Sequence, residues 1–277
     1  MQQPVERHKL PTLVGILFLI VGLVTGVFLL QQRQYYGLNA SGSYDPIDVR
    51  ISNVTDTGFT VSFYTEKNSL VRVQWSGKQN SGQASQESDN LSTIHFINVT
   101  GLESNSDYTF KIYSGDKTYD NQGIPWNIRT SSVNDSESGR YVSGNIFKQN
   151  NQAADSSLVY LQIGGAALLS AQTSSNGSFI IPLSKLRDQS LTRNLTVTDD
   201  MIINVFVQSG QSGIANAQVS IGAANPLPDM KLGNSYDFTK LEKVEEVELP
   251  KAEVFLPQGE DESKFEITDT PLKPKRN

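Results

Sequence analysis

His8 and His95 are the only imidazoles in the chain, and cysteine is absent. That removes disulfides, Fe–S clusters, thiol nucleophiles and cysteine-based zinc sites, and leaves too few imidazoles for a multi-histidine metal centre. A hydroxyl nucleophile needs a base within hydrogen-bond reach. The SGQSG segment (209–213) has neither the spacing of a G-x-S-x-G elbow nor a histidine partner. No P-loop or G-x-G-x-x-G opens a helix, and no D-x-D-x-D-G calcium loop occurs. Asp199–Asp200 and Gly259–Glu262 gather the oxygen ligands that calcium takes, but their settings read as a turn and a solvated tail. Two carboxylates facing across a cleft would suit glycoside hydrolysis, yet a small sandwich seldom encloses a cleft deep enough to raise one carboxyl pKa beside another. His95 shares its parity with Ile97 and Val99, which places it in a core or at a sandwich edge, satisfied by a backbone group. No catalytic, cofactor-binding or metal-ligating residue is assigned, and no cofactor is expected.

The elements around these residues are set by composition. A chain of 277 residues with 37% hydrophobic content holds one large domain or two small ones. Its formal charge of −6 is uneven, because residues 229–277 alone carry 12 acidic and 8 basic side chains. Nothing is basic enough for nucleic acid, whose binders cluster Lys and Arg to displace counterions.

From Leu10 to Leu30 runs LPTLVGILFLIVGLVTGVFLL, without a charge. At about 1.5 Å per residue this spans ~30 Å, the thickness of a bilayer's hydrocarbon core. It is longer than the ~7–15 apolar residues of a signal peptide, and no A-x-A-like site follows. The expectation is a retained single-pass anchor. Arg7 and Lys9 precede the span and Arg33 follows it, so the bias favours residues 1–9 in the cytoplasm and 31–277 outside it. Gly22 and Gly26 form G-x-x-x-G, a spacing that lets two helices approach and would support a weak homodimer. Residues 31–44 read as a linker, with Tyr35–Tyr36 at the outer membrane interface.

After Asp45–Pro46 the period becomes two. Phe59, Val61 and Phe63 share one face of GFTVSFYT; LVRVQW, HFINV, YTFKIY and IPWNIR alternate likewise. Such runs, separated by Gly, Asn, Asp and Ser, describe an antiparallel sandwich. Leu102 precedes Tyr108 by six residues in GLESNSDYTFKI, directly before the strongest strand. This resembles the E–F corner of a fibronectin type III domain, where a leucine plugs the core and a tyrosine hydroxyl caps a backbone group. The family's usual proline and threonine in that corner are replaced by Ser104 and Ser106, and Phe63 stands where its B-strand tryptophan would be. NVTDTGFTVSF and HFINVTGL also resemble the N-terminal sandwich of purple acid phosphatases. The resemblance covers 45–131 only, and the phosphatase domain's histidine and aspartate motifs have no counterpart.

Residues 132–139 read as an interdomain linker, followed by YVSGNIF, SLVYLQIG, AALLSAQT, GSFIIPL, MIINVFVQ and AQVSI. Asn176–Gly177 is a hairpin signal because both residues tolerate positive φ. MIINVFVQ carries apolar residues on both faces and reads as a central strand; PLSKLRDQSL reads as a short helical turn. The order V-x-G, LVYLQI, T-S-x-N-G-x-F resembles carboxypeptidase regulatory-like (transthyretin-like) sandwiches over about 140–222, within a module expected at 140–228; a second, diverged fibronectin-like sandwich is the competing reading. Residues 229–277 are expected to form a disordered acidic tail, although PLPDMKLGNSYDF could still pack on the sandwich.

The fold expectation is therefore all-β: an N-terminal transmembrane helix, two tandem antiparallel sandwiches and a disordered tail. Both resemblances imply modules that bind or space while catalysis lies elsewhere. The functional expectation is a non-catalytic, membrane-anchored adhesion or envelope scaffold protein whose partners are the membrane and envelope protein or carbohydrate. The alternative is an accessory subunit of an envelope enzyme, presenting carbohydrate or a catalytic partner. Seven N-x-S/T sequons (Asn39, Asn53, Asn90, Asn98, Asn134, Asn176, Asn194) mark glycosylation only in a host that glycosylates.

Overall fold

The computed structural model describes residues 43–86, 90–136 and 138–241. The apolar run 10–30 with Gly22 and Gly26, and the tail from 242 onward, lie outside the described residues, as does the linker up to 42. Among the described residues every regular element is a strand or a short 3₁₀ turn, and no helix is long and apolar enough to cross a membrane.

The first sandwich pairs β1 (Ile47–Ser52), β2 (Gly58–Ser69) and β5 (Ser92–Thr100) in the order β1-β2-β5. Facing it is a sheet ordered β4-β3-β6-β7, from β3 (Val71–Ser76), β4 (Ser81–Ser85), β6 (Asp107–Ser114) and β7 (Lys117–Tyr119), with β8 (Trp126–Arg129) also on β6. The alternation read from sequence puts Phe59, Val61, Phe63, Val73, Ile97, Val99, Phe110 and Ile112 into one core. The corner forms as the fibronectin resemblance implies. The Glu103 amide donates to the Tyr108 hydroxyl at 2.8 Å, and Leu102 is buried. Ser104 and Ser106, the departures from the family pattern, donate their hydroxyls to the Ser131 and Ser104 carbonyls. Residues 45–131 form a fibronectin type III-like sandwich.

The second sandwich has a sheet ordered β11-β10-β13-β14-β16: β10 (Leu158–Ile163), β11 (Leu169–Gln172), β13 (Ile202–Gln208), β14 (Ile214–Ser220) and β16 (Ser235–Phe238). Its partner sheet is β12-β9-β15: β9 (Tyr141–Phe147), β12 (Ser178–Pro182) and β15 (Met230–Lys231). β13 is central, as its two apolar faces implied, and Leu183–Lys185 make the expected helical turn.

Three expectations need correcting. The sandwich is not purely antiparallel, because β14–β16 and β9–β15 pair in parallel. Both parallel partners lie beyond residue 228, so 229–241 belong to the fold rather than to an acidic tail. Met230 and Leu232 are buried there, and two apolar anchors suffice to draw that stretch onto the sandwich. Finally, Asn176–Gly177 makes a turn but not a hairpin. β11 and β12 belong to opposite sheets, and β12 pairs with β9. Gly177 has φ of +82°, and a Cβ there would strike the Ile146 carbonyl, so the glycine serves a crossing between sheets.

The sandwiches are stacked face to face. The outward face of β1-β2-β5 (Arg50, Ser52, Thr60, Ser62, Tyr64, Ile94, Phe96) lies on the outward face of β10, β11 and β13. Ile94, Leu158 and Tyr160 are buried between the sheets, packed by Tyr64, Phe96, Leu168 and Phe206. Hence Thr60 and Ser62, polar alternates on β2, are at most 2% exposed.

Candidate functional site

The residues that could do chemistry are kept apart. His95 is fully buried on the inner face of β5, its ring 4.8 Å from that of Phe63. Nδ1 donates to Gln86 Oε1 at 3.0 Å, and Nε2 lies 3.0 Å from Thr65 Oγ1. Its partners are thus side chains rather than the expected backbone group. Burial lowers its pKa to about 4, so it stays neutral. Asp199 is paired with Arg140, while the Thr198 hydroxyl holds the Asp200 pKa below the usual carboxylate range. Among the described residues no three His, Asp or Glu side chains group closely enough to hold a metal ion.

Residues 209–213, rejected above as a nucleophile elbow, join β13 to β14 and reach across to the first sandwich, where Gln211 Nε2 donates to the Glu66 carbonyl at 3.3 Å. They are one of several ties across the junction. Asn53 is the most connected. Its amide N–H donates to the Leu168 carbonyl at 2.9 Å, its Oδ1 accepts the Ser170 N–H at 2.9 Å, and its Nδ2 donates to the Ser170 carbonyl at 3.0 Å. The side chain thus completes the edge of β11 as a neighbouring strand would. Beside it, the Ser52 and Ser170 hydroxyls meet at 2.6 Å and those of Ser62 and Tyr160 at 2.9 Å. The Arg50 guanidinium covers the Tyr160 and Phe206 rings at 4.6 and 4.4 Å.

The stretch read as a linker is pinned. Asp135 pairs with the fully buried side chain of Arg187 at 2.7 Å, and the Ser136 N–H donates to the Ser184 carbonyl. Leu191, held at φ of +62° by a turn closed on Asp188, packs against the first core while its carbonyl accepts from Ser132 N–H and Ser131 Oγ. The Ser190 hydroxyl, then the Thr192 and Arg193 amides, hold the Asp188 carboxyl well below the ordinary range.

Stacking leaves a groove along one side of the junction. One part, of about 570 Å³, is lined by Asn68, Leu91, Thr93, Ser156, Gln211 and Ser212 among others; the next, of about 450 Å³, by Asn53, Phe96, Asn98 and Lys185. Gln86 and Gln172 line both parts, so the two adjoin. Among the described residues the surface is amide and hydroxyl with few charges, and Lys148 and Asp155 pair with each other at 3.3 Å. Such a surface can hydrogen-bond a polar ligand but presents no nucleophile–base pair. Nothing in the residue pattern marks it. Its glutamines sit at outward-facing or loop positions, which alternation marks only as polar.

No protein-family model matches the chain, and no curated protein does. Among solved structures, the chain is similar to the FN1–FN3 domains of chicken CNTN1 (12% identity, TM-score 0.25, covering 58% of this chain and 59% of that one). It is also similar to a two-domain fibronectin type III segment of chicken tenascin (17%, 0.24, 65% and 99%). A third is a family 64 laminaripentaose-producing β-1,3-glucanase from Paenibacillus barengoltzii (14%, 0.20, 58% and 47%). The chain thus spans about three-fifths of the CNTN1 segment's length. Strand order and the closed tyrosine corner are what make 45–131 fibronectin type III-like.

Proposed function

We propose that this chain is a non-catalytic, membrane-anchored extracytoplasmic protein that binds or scaffolds other envelope components. The observation that carries the reading is the junction. Asn53, Ser52, Ser62, Tyr160 and Leu191 hold two sandwiches face to face as one body, which suits a rigid spacer or presenting platform. Residues 10–30 are the anchor in this reading, and 140–228 carry the carboxypeptidase regulatory-like resemblance, a family of modules that accompany catalysis rather than perform it. The polar groove favours a second reading as well: an accessory subunit that presents carbohydrate to an envelope enzyme.

Two measurements on the full chain test this. Protease added to intact cells or spheroplasts is expected to remove residues 31–277 from membrane-associated protein while a cytoplasmic control survives; survival of both reverses the orientation. Purified protein is expected to show no phosphatase, glycosidase, esterase or protease turnover above a blank. Turnover that persists through repurification and is lost in a single Asp, Glu or His95 variant overturns the non-catalytic reading.

A further inference from the structure

We infer that the groove at the junction binds a neutral oligosaccharide chain. The inference rests on the reading above of an extracytoplasmic binding protein and names the ligand class that its junction would hold.

Shape comes first. Each part of the groove has the volume of a small-ligand site, and the parts adjoin at Gln86 and Gln172. Two adjoining depressions suit a ligand built of repeating units better than a compact metabolite. The site exists only because the sandwiches stack, since Thr93 and Leu91 come from one and Ser156, Gln172 and Ser212 from the other.

Chemistry narrows the class. Three glutamines are each fixed at one end by the protein. Gln86 Oε1 accepts from His95 Nδ1 at 3.0 Å, Gln172 Nε2 donates to the Ser156 carbonyl at 3.2 Å, and Gln211 Nε2 donates to the Glu66 carbonyl at 3.3 Å. The opposite ends, one amide donor and two amide acceptors, are thereby oriented before any ligand arrives, which reduces the ordering cost of binding. Sugar hydroxyls both donate and accept, so they suit a lining that mixes fixed amide donors, fixed amide acceptors and serine and threonine hydroxyls. Leu91, 62% exposed, and half-buried Phe96 add apolar surface for the C–H face of a sugar ring.

Charge among the described lining residues disfavours a polyanion, because Lys148 is paired with Asp155 and Lys185 alone is no cluster. An extended peptide is disfavoured by the edge it would need. At Ser170 the Asn53 side chain already takes the N–H and carbonyl of β11.

The test is calorimetric titration of the full chain in detergent with four neutral hexasaccharides (β-1,3-glucan, β-1,4-glucan, α-1,4-glucan and β-1,4-linked N-acetylglucosamine), an oligogalacturonate and a neutral Ser/Gly decapeptide. Saturable binding of at least one neutral hexasaccharide is expected at or below about 1 mM, with preference over the anionic oligomer and the peptide. Gln172→Ala and Gln211→Ala are each expected to weaken that binding about tenfold, the effect of one well-placed hydrogen bond. Gln211 is exposed, so its variant retains the fold and separates lost binding from lost structure. No binding to any neutral hexasaccharide, equal affinity in both variants, or preferential binding of the peptide or oligogalacturonate overturns the inference. None of these results bears on protease accessibility, so a failed ligand assignment and a failed topology are told apart.

Discussion

His95 shows how a single residue's chemistry is decided by its surroundings. Gln86, Thr65 and Ser69, none of them ionisable in this pH range, meet its ring, and Phe63 covers one face. Burial lowers its pKa from 6.5 to about 4, so the unfolded chain binds the proton more readily than the folded one. The stability that depends on a neutral His95 is complete above pH 6.5 and is lost as pH falls toward 4, by on the order of 2–3 kcal/mol. His95→Gln is expected to flatten the pH dependence of the denaturant midpoint across that window, and an unchanged slope in the variant rejects the account. Tyr108 makes a simpler case. Tyr108→Phe removes the acceptor of the Glu103 amide and is expected to cost ~1–3 kcal/mol in denaturant melts, an unsatisfied partner included.

At the scale of elements, what the sequence showed depended on whether a strand faces core or neighbour. β3 alternates buried and exposed as LVRVQW implied, because its outer face meets solvent. β2 does not, because its polar alternates lie under the second sandwich. Thr60 and Ser62 gave no warning, since a hydroxyl covered by a neighbouring sheet and bonded there, Thr60 with Asn53 and Asn98 and Ser62 with Tyr160, has the same pattern as one facing water. The tyrosine corner was legible because it is local, with Leu102, Glu103 and Tyr108 meeting within one turn of chain. The crossing at Asn176–Gly177 was not, because a turn dipeptide reports the local bend and says nothing of which sheet each strand joins. Asn53 sharpens the point. As N-x-T it read as a glycosylation acceptor, yet its carboxamide is spent on Ser170 and on Thr60 Oγ1. Asn53→Ala is therefore expected to destabilise the described body by ~1–3 kcal/mol through unsatisfied groups at the β11 edge. Mass spectrometry of protein from a glycosylating host is expected to find Asn53 unmodified; glycan on Asn53 in folded protein contradicts its structural role.

For the whole molecule, the question is whether two sandwiches in sequence behave as two domains. Composition marked 132–139 as a break, and a Ser/Gly/Asp-rich stretch between two sets of strands ordinarily separates independent bodies. Here the break is tied down by Asp135–Arg187 and by Ser132 on Leu191. The face it leads to buries Ile94, Leu158 and Tyr160. Large side chains of this kind contribute ~1.5–3 kcal/mol each when fully buried, and the total is comparable with the ~5–15 kcal/mol that separates a folded domain from its unfolded chain. Neither sandwich keeps that contribution alone, because each would turn the same face to water, with Tyr64 and Phe96 uncovered on one side and Phe206 on the other. Residues 31–277 are therefore expected to melt in one cooperative calorimetric transition, and Tyr160→Ala to lower that single transition rather than to split it. The isolated 43–131 fragment is expected to melt well below the intact body. Two separable transitions, one coinciding with the melting of the 43–131 fragment, would show that the sandwiches fold independently and that their junction adds little.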